Sequence, residues 1–108
     1  MIEDILKILD KAVVKDIRIY DTTTFTPYFD NVIICSVNSS RQGNAATNYL
    51  RKEAPQYGYE VRNTSRGNDT SWFLIDLGVV VVHLFVGEER TRYNLDGIYE
   101  HLSHRIYQ

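Results

Sequence analysis

The amino-acid sequence predicts a single α+β domain in which helices pack on a mixed, five-stranded β-sheet. Three segments repeat apolar residues at helical spacing, and five other segments show the alternation or the β-branched composition of strands. Only the link between the second and third strands contains a helix long enough for a parallel crossover, so the sheet is expected to be mixed. The 108 residues suit one domain, residues 1–108, and leave no room for a second core.

The first half of the chain is predicted to form a helix, two strands and a second helix. Residues 2–14 carry apolar side chains at every third or fourth position, which is one face of an amphipathic helix. Residues 16–21 alternate polar and apolar side chains like a half-buried strand, and residues 29–37 have the β-branched centre of a central strand. The serine hydroxyls at positions 39 and 40 can cap a helix over residues 41–54.

The next segment is predicted to supply the remaining three strands. A short strand at residues 59–62 precedes a polar loop at residues 63–70. The apolar runs at residues 71–77 and 79–86 indicate an antiparallel hairpin around Gly78. One residue is too short for a standard hairpin turn, so the two strands must end inside these runs.

The C-terminal segment is predicted to be helical. Residues 88–92 form a charged turn or a short helix, and an amphipathic helix follows. Its apolar stripe consists of Leu95, Ile98, Tyr99, Leu102 and Ile106. His101 and His104 would lie near one face of this helix, which is too few ligands for a metal site.

Composition and charge exclude several functional classes. A net charge of −2 argues against nucleic-acid binding driven by phosphate neutralisation. Cys35 is the only cysteine, so we expect no disulfide, no cysteine-based zinc site and a reducing, cytoplasmic location. Residues 1–7 are acidic and amphipathic, unlike a secretory signal. The apolar stretch at residues 79–82 is broken by His83 and is too short to span a membrane.

Carboxylates near strand ends raise an enzymatic alternative. Asp21, Asp30 and Asp76 could meet at one edge of the sheet and hold a divalent cation, as in a metal- or nucleotide-dependent nucleotidyltransferase. Aspartates at such positions more often cap loops, and the sequence has no glycine-rich phosphate loop. We therefore predict no catalytic site, no bound metal and no cofactor.

The strand that begins near Trp72 predicts a docking face. Trp72, Leu74 and Asp76 alternate onto one side of the strand. The opposite side carries only apolar residues, Phe73, Ile75 and Leu77. A large aromatic residue beside an aliphatic residue and an acid is typical of an exposed interface, although helices covering both faces remain an alternative.

Three groups of residues, in order along almost the whole chain, resemble the ribosomal silencing factor family, which is also called Iojap-like. The first group is Asp21, Asp30, Val32-Ile33-Ile34-Cys35 and Ser39-Ser40-Arg41-Gln42. The second is Trp72, Asp76-Leu77-Gly78 and Val80-Val81-Val82-His83-Leu84-Phe85. The third is Glu88-Glu89-Arg90, Arg92-Tyr93-Asn94-Leu95 and Tyr99. The chain departs from the family at Val79, where an acid is usual.

The resemblance implies a fold distantly similar to nucleotidyltransferases but without their catalytic residues. It also implies a chain that binds ribosomal protein fourteen of the large subunit, blocks joining of the small subunit and lowers translation when nutrients are scarce. A homodimer of the free protein is a further implication. Carried onto this sequence, the docking residues would be Trp72, Leu74, Asp76, His83, Glu89, Arg92 and Tyr93.

Overall fold

The structure, a computed structural model, describes residues 2–66 and 71–107, except for the side chains of residues 65 and 66. Its helices are α1 (Ile2–Asp10), α2 (Ser40–Glu53), α3 (Glu89–Tyr93) and α4 (Asp96–Tyr99), with a 3₁₀ turn at Ala54–Tyr57. Its strands are β1 (Lys15–Asp21), β2 (Asn31–Val37), β3 (Asn63–Arg66), β4 (Trp72–Asp76), β5 (Val80–Val86) and β6 (His104–Ile106).

These strands form one sheet in the order β3-β4-β5-β2-β1-β6. β2 and β5 pair in parallel at its centre, and the other neighbouring pairs among the described residues are antiparallel. Every residue of β2 after Asn31 is buried, and so is every residue of β5 before Val86. For β2 this two-sided burial is what its continuous β-branched centre predicted, because a central strand must be covered on both faces.

The two faces of the sheet are covered differently. The first face packs under α1, α2 and the 3₁₀ turn, and its core includes Ile33, Phe73, Ile75 and Leu84. The second face, which we call the C-terminal face, is covered by the segment after β5. Its smaller cluster of buried residues consists of Tyr20, Val32, Ile34, Phe85 and Tyr99.

Two local features hold α2 against the sheet. The Ser39 hydroxyl accepts a hydrogen bond from the Gln42 backbone N–H at 3.2 Å, which confirms the predicted serine cap. Gly43 faces the ring of Phe73 so closely that an added Cβ atom would lie 2.2 Å from the Phe73 Cε1 atom. A glycine at this position therefore lets helix and strand approach each other.

The hairpin between β4 and β5 ends inside the predicted apolar runs, as the turn argument required. β4 stops at Asp76 and β5 starts at Val80, which leaves three residues for the turn. Gly78 has a φ angle of +86°, in the left-handed region that favours glycine. Its N–H donates to the Asp76 carboxylate at 2.9 Å.

Two predictions near β3 were wrong. The predicted strand at residues 59–62 is irregular chain, because Tyr59 and Val61 pack on the core instead of pairing in the sheet. Pairing with β4 begins only at Asn63, opposite Asp76, so β3 lies in the predicted loop. The remainder of that loop, residues 67–70, lies outside the described residues.

The predicted C-terminal helix was also wrong beyond Tyr99. The chain leaves α4, turns and adds β6 beside β1, which raises the number of strands from five to six. A helix continuing to Ile106 would have left the outer edge of β1 unpaired, whereas β6 satisfies those backbone groups. His101 and His104 consequently lie in a turn and in a strand, not together on a helix.

Val13 offers a test of local backbone strain. It has a φ angle of +55° and a side chain 67% exposed, so a β-branched residue is held in the left-handed region without compensating burial. Because asparagine tolerates this region, we expect Val13→Asn to raise the free energy of unfolding by about 1 kcal/mol in urea denaturation. Val79→Asn is the control, since Val79 is 50% exposed and does not have a positive φ angle. An equal effect of both substitutions would contradict the explanation.

Candidate functional site

The structure brings the seven predicted docking residues onto the C-terminal face. Trp72, Leu74 and Asp76 project from β4, with His83 beside them on β5. Glu89, Arg92 and Tyr93 belong to α3, which packs against β5. The predicted division of β4 is confirmed, because Phe73, Ile75 and Leu77 are buried on the opposite face. Trp72, Leu74 and Asp76 are half-buried rather than fully open.

The indole of Trp72 is held in an aromatic cluster that we call the Trp72 cluster. Its ring centroid lies 4.7 Å from that of Tyr93 and 5.1 Å from that of Phe85. The indole Nε1–H donates a hydrogen bond to the Nδ1 atom of His83 at 3.1 Å. Ring contacts on two sides and this polar contact fix the indole before any partner arrives.

His83 is the polar support of the Trp72 cluster. Its side chain is only 7% exposed, and burial lowers its pKa from 6.5 to about 4. The imidazole is therefore neutral at pH 7, so Nδ1 can accept the hydrogen bond from the indole N–H. The sequence analysis included His83 among the docking residues but did not identify Trp72 as its partner.

Beside the Trp72 cluster lies a groove of about 520 Å³, which we call the Leu74 groove. Leu74, Asp76 and His83 line it on the sheet side, and Tyr28 and Phe29 line it from the loop before β2. The sequence analysis missed these two aromatic residues, because they are more than forty positions from Leu74 in the chain. Two adjacent aromatic residues in a polar loop were the available clue, and Tyr28 is 83% exposed.

A partly buried ion network fixes α3 and α4 to the sheet. The Arg90 guanidinium donates to both Asp96 carboxylate oxygens, at 2.9 and 3.2 Å, and to the Ser36 hydroxyl at 3.0 Å. It also donates to the backbone carbonyl of Asp16, and the Tyr20 hydroxyl donates to Asp96 at 2.6 Å. We call this group the Arg90 network. The resemblance included Arg90, but its role as an anchor of α3 was not predicted.

The Arg90 network shifts the pKa values of its members. Burial would raise the pKa of Asp96, but hydrogen bonds from Arg90 and Tyr20 outweigh it and hold that pKa below the ordinary value. Burial, followed by the hydrogen bond to Asp96, raises the pKa of Tyr20 to about 12. Arg90 and Asp96 therefore remain an ion pair throughout the neutral range, as an anchor requires.

Glu89 and Arg92 form an ion pair on α3, in which Arg92 is exposed and Glu89 is half-buried. The Glu89 carboxylate accepts hydrogen bonds from Arg92 at 2.9 Å and from the Ser71 hydroxyl at 3.4 Å. The Arg92 side chain is 70% exposed, and its guanidinium carbon lies 5.7 Å from the centre of the Tyr93 ring. Such exposed pairs contribute little stability, so these charges remain available to a partner.

Two of the three carboxylates of the enzymatic alternative, Asp21 and Asp76, serve local turns. Asp21 accepts hydrogen bonds from the N–H and hydroxyl of Thr23, which lower the pKa of its carboxyl, and Asp76 accepts from Gly78. Within residues 2–66 and 71–107, no group of three or more acidic, histidine or cysteine side chains could hold a metal ion. Cys35 is fully buried, and burial raises the pKa of its thiol to about 12.

In the described part of the chain, no helix is both long and apolar enough to cross a membrane.

Comparison with protein families gives one clear assignment. Residues 1–106 match the family model described as "Ribosomal silencing factor during starvation". A protein named ribosomal silencing factor RsfS from Haemophilus influenzae is 30% identical over 99 residues, which cover 92% of this chain and 97% of that protein. The protein of the same name from Halalkalibacterium halodurans is 40% identical over 70 residues, which cover 65% of this chain and 60% of that protein.

A solved structure supports the fold independently. A crystal structure of a protein from Chromobacterium violaceum superimposes with a TM-score of 0.84, covering 98% of this chain and 88% of the other. The two sequences are 24% identical. The six-stranded arrangement is therefore shared with a protein of largely different sequence.

The buried His83 predicts how stability depends on pH. The unfolded chain takes up a proton near pH 6.5, whereas the folded His83 resists protonation down to a pKa of about 4. The free energy of unfolding should thus fall by up to about 3 kcal/mol as the pH drops through this interval. The measurement is urea denaturation followed by circular dichroism at a series of pH values. His83→Gln should reduce the loss of unfolding free energy at low pH, because glutamine can accept a hydrogen bond from the indole N–H but does not titrate. His101→Gln, at an exposed turn, should leave it unchanged. An unaltered decline in His83→Gln would contradict this assignment.

The Arg90 network predicts a large difference between two arginines of α3. Arg90→Met leaves the Asp96 carboxylate without its cation in a site where the two side chains are 13% and 21% exposed. We expect a loss of about 3 kcal/mol in the free energy of unfolding. Arg92→Met, which breaks an exposed pair, should cost less than about 1 kcal/mol. Equal losses in urea denaturation would show that the Arg90 network does not anchor α3.

Proposed function

This chain belongs to the ribosomal silencing factor RsfS family, and we propose that it represses translation by docking its C-terminal face on ribosomal protein fourteen of the large subunit. Family membership makes it a silencing factor rather than an enzyme, so the nucleotidyltransferase alternative is set aside. The match spans 60% of the Halalkalibacterium relative and 97% of the Haemophilus relative. The partner protein and the contact residues are the proposed part.

The observation that carries the proposal is the preorganised Trp72 cluster beside the Leu74 groove. Interfaces obtain most of their affinity from a few aromatic anchors that seat in desolvated surroundings. The indole of Trp72 is already oriented by His83, Phe85 and Tyr93, so binding requires little further ordering of this side chain. The half-buried Glu89 and the exposed Arg92 place polar groups on one side of it, like the polar rim of known interfaces.

The dimensions of the chain support a steric mechanism. Its principal extents are 33 × 32 × 25 Å, so one face can supply the roughly 800 Å² per partner that a specific interface buries. A folded body 25 Å thick on the joining surface of the large subunit would hold the small subunit beyond contact distance. No chemical step is needed, since occupancy alone prevents joining.

A cytoplasmic site of action and a homodimer of the free protein complete the proposal. The ribosome as target supports the location, and the resemblance to the family supports the dimer.

The Trp72 anchor gives the direct test. Trp72→Ala should weaken binding to isolated large subunits by about thirtyfold or more, which corresponds to the roughly 2 kcal/mol of a buried tryptophan anchor. Binding is measured by co-sedimentation, and the same tubes receive small subunits to score joining. The wild-type chain should keep small subunits off the large ones, and the variant should not.

Two controls separate docking from folding. Tyr49→Ala removes a tyrosine that is 38% exposed on α2, which covers the opposite face, and should bind like wild type. Trp72→Phe keeps a ring in the Trp72 cluster and should retain part of the affinity. If a folded Trp72→Ala variant bound large subunits like wild type, the docking face would be wrong. If the wild-type chain did not bind them, the partner would be wrong.

A further inference from the structure

The Leu74 groove combines apolar, aromatic and charged side chains and is large enough to receive a side chain of a partner. The aliphatic part of its wall on the sheet side is formed by Leu74 and Val81. Tyr28 and Phe29 form the wall on the loop side, and Tyr99 lies at the same groove. At about 520 Å³ it is larger than one side chain needs, so a long side chain can enter together with water.

Two of the rings in this groove differ in their freedom. Tyr99 is 8% exposed and is held by ring contacts with Tyr20 at 5.8 Å and Phe25 at 5.5 Å. Tyr28 is 83% exposed, so its ring can close over an incoming group. The held ring of Tyr99 and the exposed ring of Tyr28 together favour a flexible, extended side chain as the occupant over a bulky aromatic one.

The charges of the groove favour a cation. Asp76 directs one carboxylate oxygen to the Gly78 N–H at 2.9 Å and lies at the groove wall. His83 contributes no charge, because its burial keeps it neutral. Arg62 is 62% exposed at the rim and has Glu60 as a counter-ion at 3.6 Å. In the described part of the chain, Asp76 is the only carboxylate that lines the groove, so it is the counter-ion that a cationic occupant would meet.

We propose that the Leu74 groove receives a single arginine or lysine side chain of the ribosomal protein, with its aliphatic stem between Tyr28 and Leu74 and its cation at Asp76. This inference rests on the proposed function and specifies its chemistry. Arginine and lysine stems pack along apolar and aromatic surfaces while the charged group reaches a carboxylate. Tyr28 thereby becomes a second anchor, contributed by a loop outside the strand that carries Trp72.

The test compares two substitutions in the groove with two matched controls. Asp76→Asn keeps an acceptor for the Gly78 N–H but removes the charge, and Tyr28→Ala removes the exposed ring. Glu3→Gln neutralises an exposed acid on α1, and Tyr57→Ala removes a tyrosine that is 49% exposed in the 3₁₀ turn. Dissociation constants for isolated large subunits are measured between low and physiological salt.

The expected pattern distinguishes charge from packing. Asp76→Asn should weaken binding about tenfold at low salt and reduce its salt dependence, because a charge-assisted contact is lost. Tyr28→Ala should weaken binding about fivefold at every salt concentration, because it removes stacking and apolar contact. Both controls should bind like wild type.

Each other outcome overturns a specific statement. If Tyr28→Ala is weak and Asp76→Asn binds like wild type with an unchanged salt dependence, the occupant is not basic. If both groove variants bind like wild type while Trp72→Ala is weak, the groove is not part of the interface but the proposed function stands. If the wild-type chain itself does not bind large subunits, the proposed function is wrong, and the proposed occupant of the groove is wrong with it.

Discussion

The parallel pairing of β2 with β5 is the constraint on which the rest of the structure depends. Both strands are buried on both sides, so the sheet needs cover on each face. The two longer helices, α1 and α2, lie on one face, which leaves the other to two helices of about one turn each and their flanking loops. Such short cover cannot hide every aromatic side chain. The half-covered Trp72 and the Leu74 groove are direct results of this unequal distribution.

The short helices on the C-terminal face are held in place by an ion pair and hydrogen bonds more than by buried apolar area. α3 has no buried residues, so packing alone would not fix its orientation. The Arg90 network supplies that orientation through one guanidinium that reaches α4, β1 and β2 together. Tyr93 then stays over Trp72, and the docking surface keeps its shape. The orientation of α3, and with it the docking surface, therefore depends on the Arg90 network.

Most of the elements were predictable from periodicity, but the sheet edges were not. The alternation in β4 correctly separated Phe73 and Ile75 from Trp72 and Leu74, since period-two burial is a local property. The failures were at β3 and β6, where pairing depends on which backbone edge lacks a partner. For the site, adjacent strands brought the predicted residues together. Tyr28 escaped prediction because its proximity to Leu74 arises only from the folded path of the loop.

The position of Trp72 has an optical consequence. It is the only tryptophan in the chain, and its indole is half-buried against Tyr93 and Phe85. The fluorescence emission of an indole depends on how much water surrounds it. In this protein it also depends on the imidazole of His83, which accepts a hydrogen bond from the indole. The molecule therefore carries a built-in fluorophore at the surface that its partner would cover, and arrival of that partner can be read without attaching a label.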